Sequence, residues 1–365
     1  MKKVMIITRH NVNNFGSFLQ SFVTQEKVYE LGYNSVIINY IPLEENPQNI
    51  FNTTCLVKHR TGLKKVIFYL LVNPINKKIE KNFQRIRTEY LKLSPICDET
   101  NIGKIDGDIF LAGSDQLWGE IGTKAYDLNY FLSFANSSNK FAYSASIGKI
   151  APNESFDKNV KKELSQFRKI GVREKSAVDY LAQIGLHSSL VLDPTFLYSK
   201  DYYSSKIKFN RSMRREYILV YQLHDIPGFS DYLKKISKAY KLPVYRVHVS
   251  PLHVLKFGKI RSTQNPFEFL GYVANAKYVI TDSFHCTVFN IIFQKQFVCI
   301  NPGSTSTRIT NILNVFDLQN RMVDFNDIAT LKYKISYKKV NEKLDILRNQ
   351  SIKFLKEELD SAINE

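Results

Sequence analysis

Short apolar runs alternate with stretches of helical periodicity along most of this chain, the pattern of parallel sheets covered by helices. Residues 3–8 read as a buried strand, 17–31 as a helix and 35–39 as a second strand, which together make one βαβ unit. A basic helical insertion follows at about 56–90. Strands are predicted at 108–112, 140–145 and 169–173, the last feeding a helix that starts at Glu174. A further strand runs into Asp193, where Pro194 enforces the stop. The alternation pauses over 198–215, a stretch rich in Tyr, Ser, Lys and Arg that reads as an irregular connection. It resumes with strand 217–222, helix 229–240, strand 244–247, helix 266–274, strand 278–281, helix 284–294 and strand 297–300. A last amphipathic helix offers Leu344, Leu347, Phe354, Leu355 and Leu359 to a core.

The expected fold is therefore α/β, with two facing, doubly wound, Rossmann-like lobes over 1–197 and 216–336. A deep interlobe cleft would hold the ligands. The final helix, 337–365, would pack back on the first lobe.

Composition fits that picture. A chain of 365 residues that is 44% hydrophobic is long enough for two cores. No apolar run approaches the roughly 20 residues needed to cross a bilayer, and the apolar part of the N-terminus is too short for a secretion signal. Cys55, Cys97, Cys286 and Cys299 show neither CxxC nor Cys/His metal spacing, so reduced thiols in a cytoplasmic protein without a metal site are expected.

The formal charge of +17 implies attraction to anions. Its lysines and arginines are scattered and no nucleic-acid motif accompanies them, which argues against a nucleic-acid partner. An anionic substrate fits better, with peripheral contact at the anionic inner face of the cell membrane. A solvated basic surface is the competing reading.

Five stretches carry candidate chemistry. In Asn13-Asn14-Phe15-Gly16-Ser17 a turn enters the first helix, and Gly16 with the free N–H groups there suits an anion or sugar oxygens; simple capping by Asn14 or Ser17 is the alternative. Lacking GxGxxG, this turn disfavours a dinucleotide. In Gly113-Ser114-Asp115-Gln116-Leu117-Trp118 a strand ends in an acid, an amide and the sole tryptophan. Those groups suit a sugar, with Trp118 as a core residue and Asp115 as a turn former on the other side of the ledger. Arg173 closes another strand, where its fork could grip a carboxylate or phosphate, or pair with Glu174 or a neighbouring acid.

The most informative stretch is Thr281-Asp282-Ser283-Phe284-His285. An apolar strand breaks into polar residues and at once enters an apolar helix, placing His285 in the first turn. There it can donate to a phosphate or act as acid or base, with Ser283 as a cap. Ser304 to Arg308 offers hydroxyls and a cation at another helix entry, either an anion contact or a capped helix with a surface arginine.

In this order these stretches resemble the polysaccharide pyruvyl transferase family. The matching pieces also include Tyr143-Ser144-Ala145-Ser146-Ile147-Gly148, Val172-Arg173-Glu174-Lys175-Ser176 and Leu192-Asp193-Pro194-Thr195, and they span roughly residues 4–320. The resemblance implies a fold like that of two-domain GT-B glycosyltransferases. It implies transfer of a pyruvyl unit from phosphoenolpyruvate to two hydroxyls of a saccharide in a surface polysaccharide or its lipid-linked precursor, giving a ketal and phosphate with no cofactor.

On that basis the first lobe is the acceptor side, with Asn13, Asn14, Gly16, Ser17, Asp115, Gln116 and Trp118 as acceptor contacts. The second is the donor side, with Ser283, His285 and Arg308 joined by Arg173. His285, Arg173, Asp115 and Asp193 are the candidate catalytic groups. Some family members carry an arginine near that histidine, where Ser283 and Phe284 stand here. Two other functions share these features: a GT-B glycosyltransferase using a nucleotide sugar, and a non-catalytic saccharide-binding protein of the same pathway.

Overall fold

The structure is a computed structural model and describes residues 1–42, 62–119, 126–135, 137–148, 154–249, 257–301 and 307–362, with backbone alone at 62–69, 71 and 72. Two compact units emerge, Met1–Pro194 with Gln350–Glu365, and Thr195–Asn349.

The first unit is built on a seven-stranded parallel sheet. Strands β1 (Lys3–Ile7), β2 (Asn34–Ile37), β3 (Ile109–Ala112), β5 (Lys140–Ser146), β6 (Lys169–Val172) and β7 (Ser189–Leu190) lie in the order β2-β1-β3-β5-β6-β7, with short β4 (Asp115–Gln116) beside β5. All pairings are parallel. Strands buried on both faces need continuous apolar sequence, and β1 and β3 supply it from Val4 to Ile7 and from Ile109 to Ala112.

The chain leaves β1 through helix α1 (Phe15–Glu30) to β2 on one side and reaches β3 on the other. The carboxyl ends of β1 and β3 are thus the switch point of the sheet, where open α/β folds bind ligands. Helix α2 (Gly62–Tyr90) falls within the predicted insertion, whose first residues lie outside the described ones. Helices α3 (Glu154–Leu164) and α4 (Lys175–Gln183) complete the unit's own crossovers.

The second unit has the strand order β10-β9-β8-β11-β12-β13, again all parallel. Its strands are β8 (Ile218–Tyr221), β9 (Val244–His248), β10 (Lys259–Ser262), β11 (Tyr278–Thr281), β12 (Gln296–Ile300) and β13 (Met322–Val323). This is the Rossmann order, with its switch point between β8 and β11.

Residues 198–215 differ from the irregular connection expected of them. They form helix α5 (Lys200–Lys206), capped by Ser199, and a 3-10 turn at Arg211–Arg214, which set Tyr203 and Met213 into the core. Met213 meets helix α7 (Pro266–Asn275) at Gly271, where a Cβ would lie 3.0 Å from the methionine sulfur. Helices α6 (Phe229–Tyr240), α8 (Phe284–Ile292) and α9 (Thr307–Val315) cover the sheet.

Helix α10 (Tyr337–Ser361) belongs to both units, dividing between Asn349 and Gln350. Its second half packs on the first unit as expected: Leu355 and Leu359 are buried, Ser351 Oγ accepts the Leu192 N–H at 3.0 Å, and Phe354 lies against Tyr143. Gly171 makes room for it, since a Cβ there would stand 2.9 Å from the Phe354 ring. Among the described residues, no helix is long and apolar enough to cross a membrane.

Candidate functional site

Each sheet gathers polar residues at its switch point. In the first unit they form a buried network around Arg173, whose side chain is 1% exposed. Its Nη1 donates to Asp193 Oδ2 at 2.9 Å and to Ser114 Oγ at 3.2 Å. Asp115 Oδ1 and Glu174 Oε2 each lie 3.6 Å from other guanidinium nitrogens. Burial opposes the guanidinium charge, but Asp193, Glu174 and Asp115 outweigh it and hold Arg173 above its ordinary range.

Two residues of this network adopt the left-handed backbone that non-glycine residues avoid, Asp115 at φ 84° and Ser144 at φ 63°. Ser144 lies in a register shift of β5 between Ala142 and Ala145, and its Oγ stands 3.3 Å from Ser114 Oγ. Bulges and strained φ values cluster at functional sites because they re-aim side chains. Asp115 is so turned that its Oδ2 accepts from Ser17 Oγ at 2.7 Å, joining the first turn to the third strand. Ser146 Oγ donates to Glu174 Oε1.

These contacts decide between the predicted roles. Three carboxylates enclose the Arg173 guanidinium, the surroundings that the ion-pair reading describes. Of the acids, Asp115 keeps 11% of its side chain exposed against 3% for Glu174 and 1% for Asp193, so Asp115 is the one a substrate could reach. Trp118 lies in the core. Its indole is fully buried, stacked on Phe131 with ring centroids 5.6 Å apart, and its Nε1 donates to the Tyr130 carbonyl, so no ring face remains for a sugar.

Asn14 caps α1 by accepting the Gly16 and Ser17 N–H groups at 2.8 and 3.3 Å. Asn13 is held by Arg87 and Glu80 of α2, each at 2.6 Å, and Arg87 also donates to the carbonyls of His10 and Asn11. The turn is thus clamped from α2. Beside it His10 is buried, 3.0 Å from Asn39 Oδ1, and burial holds its pKa down at about 4. Gln116 is half-buried and lies over Gly148, whose φ of 69° and missing Cβ make room for the amide.

In the second unit, Asp282 ties the carboxyl ends of β11 and β8 together. Its Oδ1 accepts the Leu223 N–H at 2.7 Å and its Oδ2 accepts the His224 N–H at 2.8 Å. The same Oδ2 lies 3.0 Å from His224 Nδ1. Thr281 Oγ1 donates to the Tyr221 carbonyl across the same pair of strands. Arg246, from β9, donates to Gln222 Oε1 and lies over the Phe229 ring. Burial lowers its pKa, with Asp282 and Asp225 opposing.

Ser283 caps α8 by accepting the Cys286 N–H at 3.4 Å, and His285 occupies the first turn, nearly buried, edge-on to Phe284. Arg308 stands half-buried in the first turn of α9; Ser304, Thr305 and Ser306 lie outside the described residues.

A sequence-family model described as Polysaccharide pyruvyl transferase matches residues 14–304, a stretch that includes most residues of both sites but not His10, Asn13 or Arg308. The chain belongs to that family. Comparison with curated proteins returns no match. Among solved structures, a UDP-GlcNAc 2-epimerase from Neisseria meningitidis bound to UDP-GlcNAc is similar at 10% identity and a TM-score of 0.53, covering 99% of this chain and 100% of its own. A putative UDP-N-acetylglucosamine 2-epimerase from Listeria monocytogenes is similar at 12% identity and a TM-score of 0.50, covering 96% of this chain and 89% of its own. At such identity the likeness shows the shared GT-B-like fold alone.

Several residues of these sites escaped the sequence reading. His224 follows β8 at the first turn of a Rossmann-ordered sheet, a position that marks it without any motif. Arg246 lies inside an apolar strand, where alternation masks it. Ser144 and Ser146 stand in a stretch quoted for the resemblance, but the bulge that sets Ser144 into the network is not reported by residue patterning.

Proposed function

We propose that this chain transfers a pyruvyl group from phosphoenolpyruvate to two hydroxyls of a saccharide, in a surface polysaccharide or its lipid-linked precursor, forming a cyclic ketal and releasing phosphate. The observation that carries the reading is the β11–α8 junction, where Ser283, His285 and the N-terminus of α8 stand at the Rossmann switch point of the second unit. A helix start offers N–H groups and a positive dipole end to an anion, and phosphoenolpyruvate carries two anionic groups.

The labour divides between the units in this reading. Ser283 and His285, with Arg308, hold the donor. Asp115, fixed by Ser17 and Arg173, orients an acceptor hydroxyl, with Ser17 and Gln116 as further acceptor contacts. Arg173 and Asp193 act as supports for Asp115. Protonation of the donor's C3 gives an oxocarbenium-like C2, which one sugar hydroxyl attacks. Phosphate then leaves with the electron pair of its C2–O bond, and the second hydroxyl closes the ketal. Its proton departs with the phosphate, so phosphoenolpyruvate is a co-substrate and no cofactor enters. A lipid-linked acceptor at the inner face of the membrane suits the charge of +17.

The test is a donor screen followed by turnover. Phosphoenolpyruvate should stabilise the protein thermally where nucleotide sugars do not, and His285→Ala should lose that stabilisation. Incubation with phosphoenolpyruvate and a panel of lipid-linked saccharides should give phosphate and a product of the ketal mass. Stabilisation by nucleotide sugars alone would favour the glycosyltransferase reading; glycan binding with no donor turnover would favour a saccharide-binding protein.

A further inference from the structure

The geometry points to His224 as the group that delivers the proton to C3 of the donor and then takes the proton of the first sugar hydroxyl, with Asp282 as its positioning residue. This rests on the pyruvyl-transfer reading above and names the acid that reading needs.

Three observations support it. First, His224 stands on the β8–α6 turn of a sheet in Rossmann order, directly at the crevice between β8 and β11. Second, Asp282 is fully buried while the His224 ring is 39% exposed, so the pair has an inner anchor and an outward imidazole. Third, Asp282 grips the main chain of Leu223 and His224 as well as the ring, which fixes the backbone and the ring together. His285, by contrast, is nearly buried against Phe284 in the helix start, a place suited to contact with an anion.

With Nδ1 committed to the Asp282 carboxylate, the proton exchanged is the one on Nε2. Among the described residues, the charged groups around the dyad include Asp282 itself, Asp225 beside it in sequence, and Arg246, which feels both carboxylates. In the step, the Nε2–H bond breaks and the π electrons of C2=C3 form the new C3–H bond. The enol-ester oxygen supports the positive charge left on C2. A hydroxyl oxygen bonds to C2 and its proton goes to Nε2, returning the imidazolium for the next turnover.

The experiment uses the full chain, phosphoenolpyruvate, and whichever saccharide of the panel sustains phosphate release by the wild type. His224→Gln should keep its apo melting temperature and its stabilisation by phosphoenolpyruvate, yet release phosphate about 100- to 1,000-fold more slowly. Asp282→Asn should lower kcat for phosphate release with little change in KM for phosphoenolpyruvate, a split that a purely structural role would not produce. Phosphate release by His224→Gln within threefold of the wild type would overturn the inference, as would loss of donor stabilisation in that variant. If the wild type is not stabilised by phosphoenolpyruvate, or releases no phosphate with any saccharide, the pyruvyl-transfer reading itself falls, and this inference with it.

Discussion

Arg173 Nη1 lies 2.9 Å from Asp193 Oδ2, and the remaining guanidinium nitrogens face Asp115 and Glu174. One cation thus serves three buried carboxylates. Removing a partner from such a group leaves uncompensated charge, which costs more than an intact pair contributes. Arg173→Met should therefore destabilise the protein by about 3–5 kcal/mol, read as a lowered urea midpoint. A variant that unfolds at the wild-type midpoint but no longer binds phosphoenolpyruvate would instead return Arg173 to the donor site.

Asp115→Asn should behave in the opposite way. It removes one negative charge from a group with more anions than cations, and asparagine tolerates the left-handed backbone that φ 84° requires. Stability is expected to stay within about 1 kcal/mol of the wild type. Phosphate release should fall about 100-fold, because the carboxylate that orients the acceptor hydroxyl is gone. Full activity in this variant would remove Asp115 from the chemistry.

His10 gives the fold a pH dependence. Its pKa drops from 6.5 to about 4 on folding, chiefly through burial, with Arg87 adding to the effect and the bonds to Asn39 and Thr8 opposing it. The folded state binds fewer protons than the unfolded state between those values. The contribution is therefore complete above pH 6.5 and is lost as pH falls through the window toward 4. Between about pH 7.5 and 5 the loss should be about 2 kcal/mol, measured by urea unfolding. In His10→Gln this component should vanish.

Trp118 is the sole tryptophan and reports directly on its own burial. Its fluorescence should resist acrylamide quenching in the native protein and stay unchanged when saccharides are added at saturation. A spectral shift on saccharide binding would restore it as an acceptor contact.

The alternation of strands and helices was legible wherever burial on both sheet faces left unbroken apolar runs, as in β1, β3 and β11. β10 was not, because its Lys259–Ser262 sequence is polar and half-exposed at the sheet edge, with no hydrophobic period to read. For the sites, position after a strand identified Asp115, Arg173 and Asp282, since topology carries strand ends to the switch point. What each does there depends on neighbours distant in sequence. Arg173 was seen as a cation and Asp193 as an acid, but their meeting depends on how β6 and the segment after β7 lie side by side. The same holds for His224, whose partner lies 58 residues away.

Helix α10 passes from one unit to the other in mid-course, and its last turns supply Leu355, Leu359 and the hydroxyl of Ser351 to a core whose sheet is already encoded by residue 194. On the ribosome, the first unit can assemble its strands early but must wait for residues 350–362 before its packing is complete. Until then the faces of Tyr143 and Gly171 that receive Phe354 stay open to water. A unit whose strands precede residue 194 is thus completed only by α10, which ties maturation of the Arg173 network to synthesis of that helix.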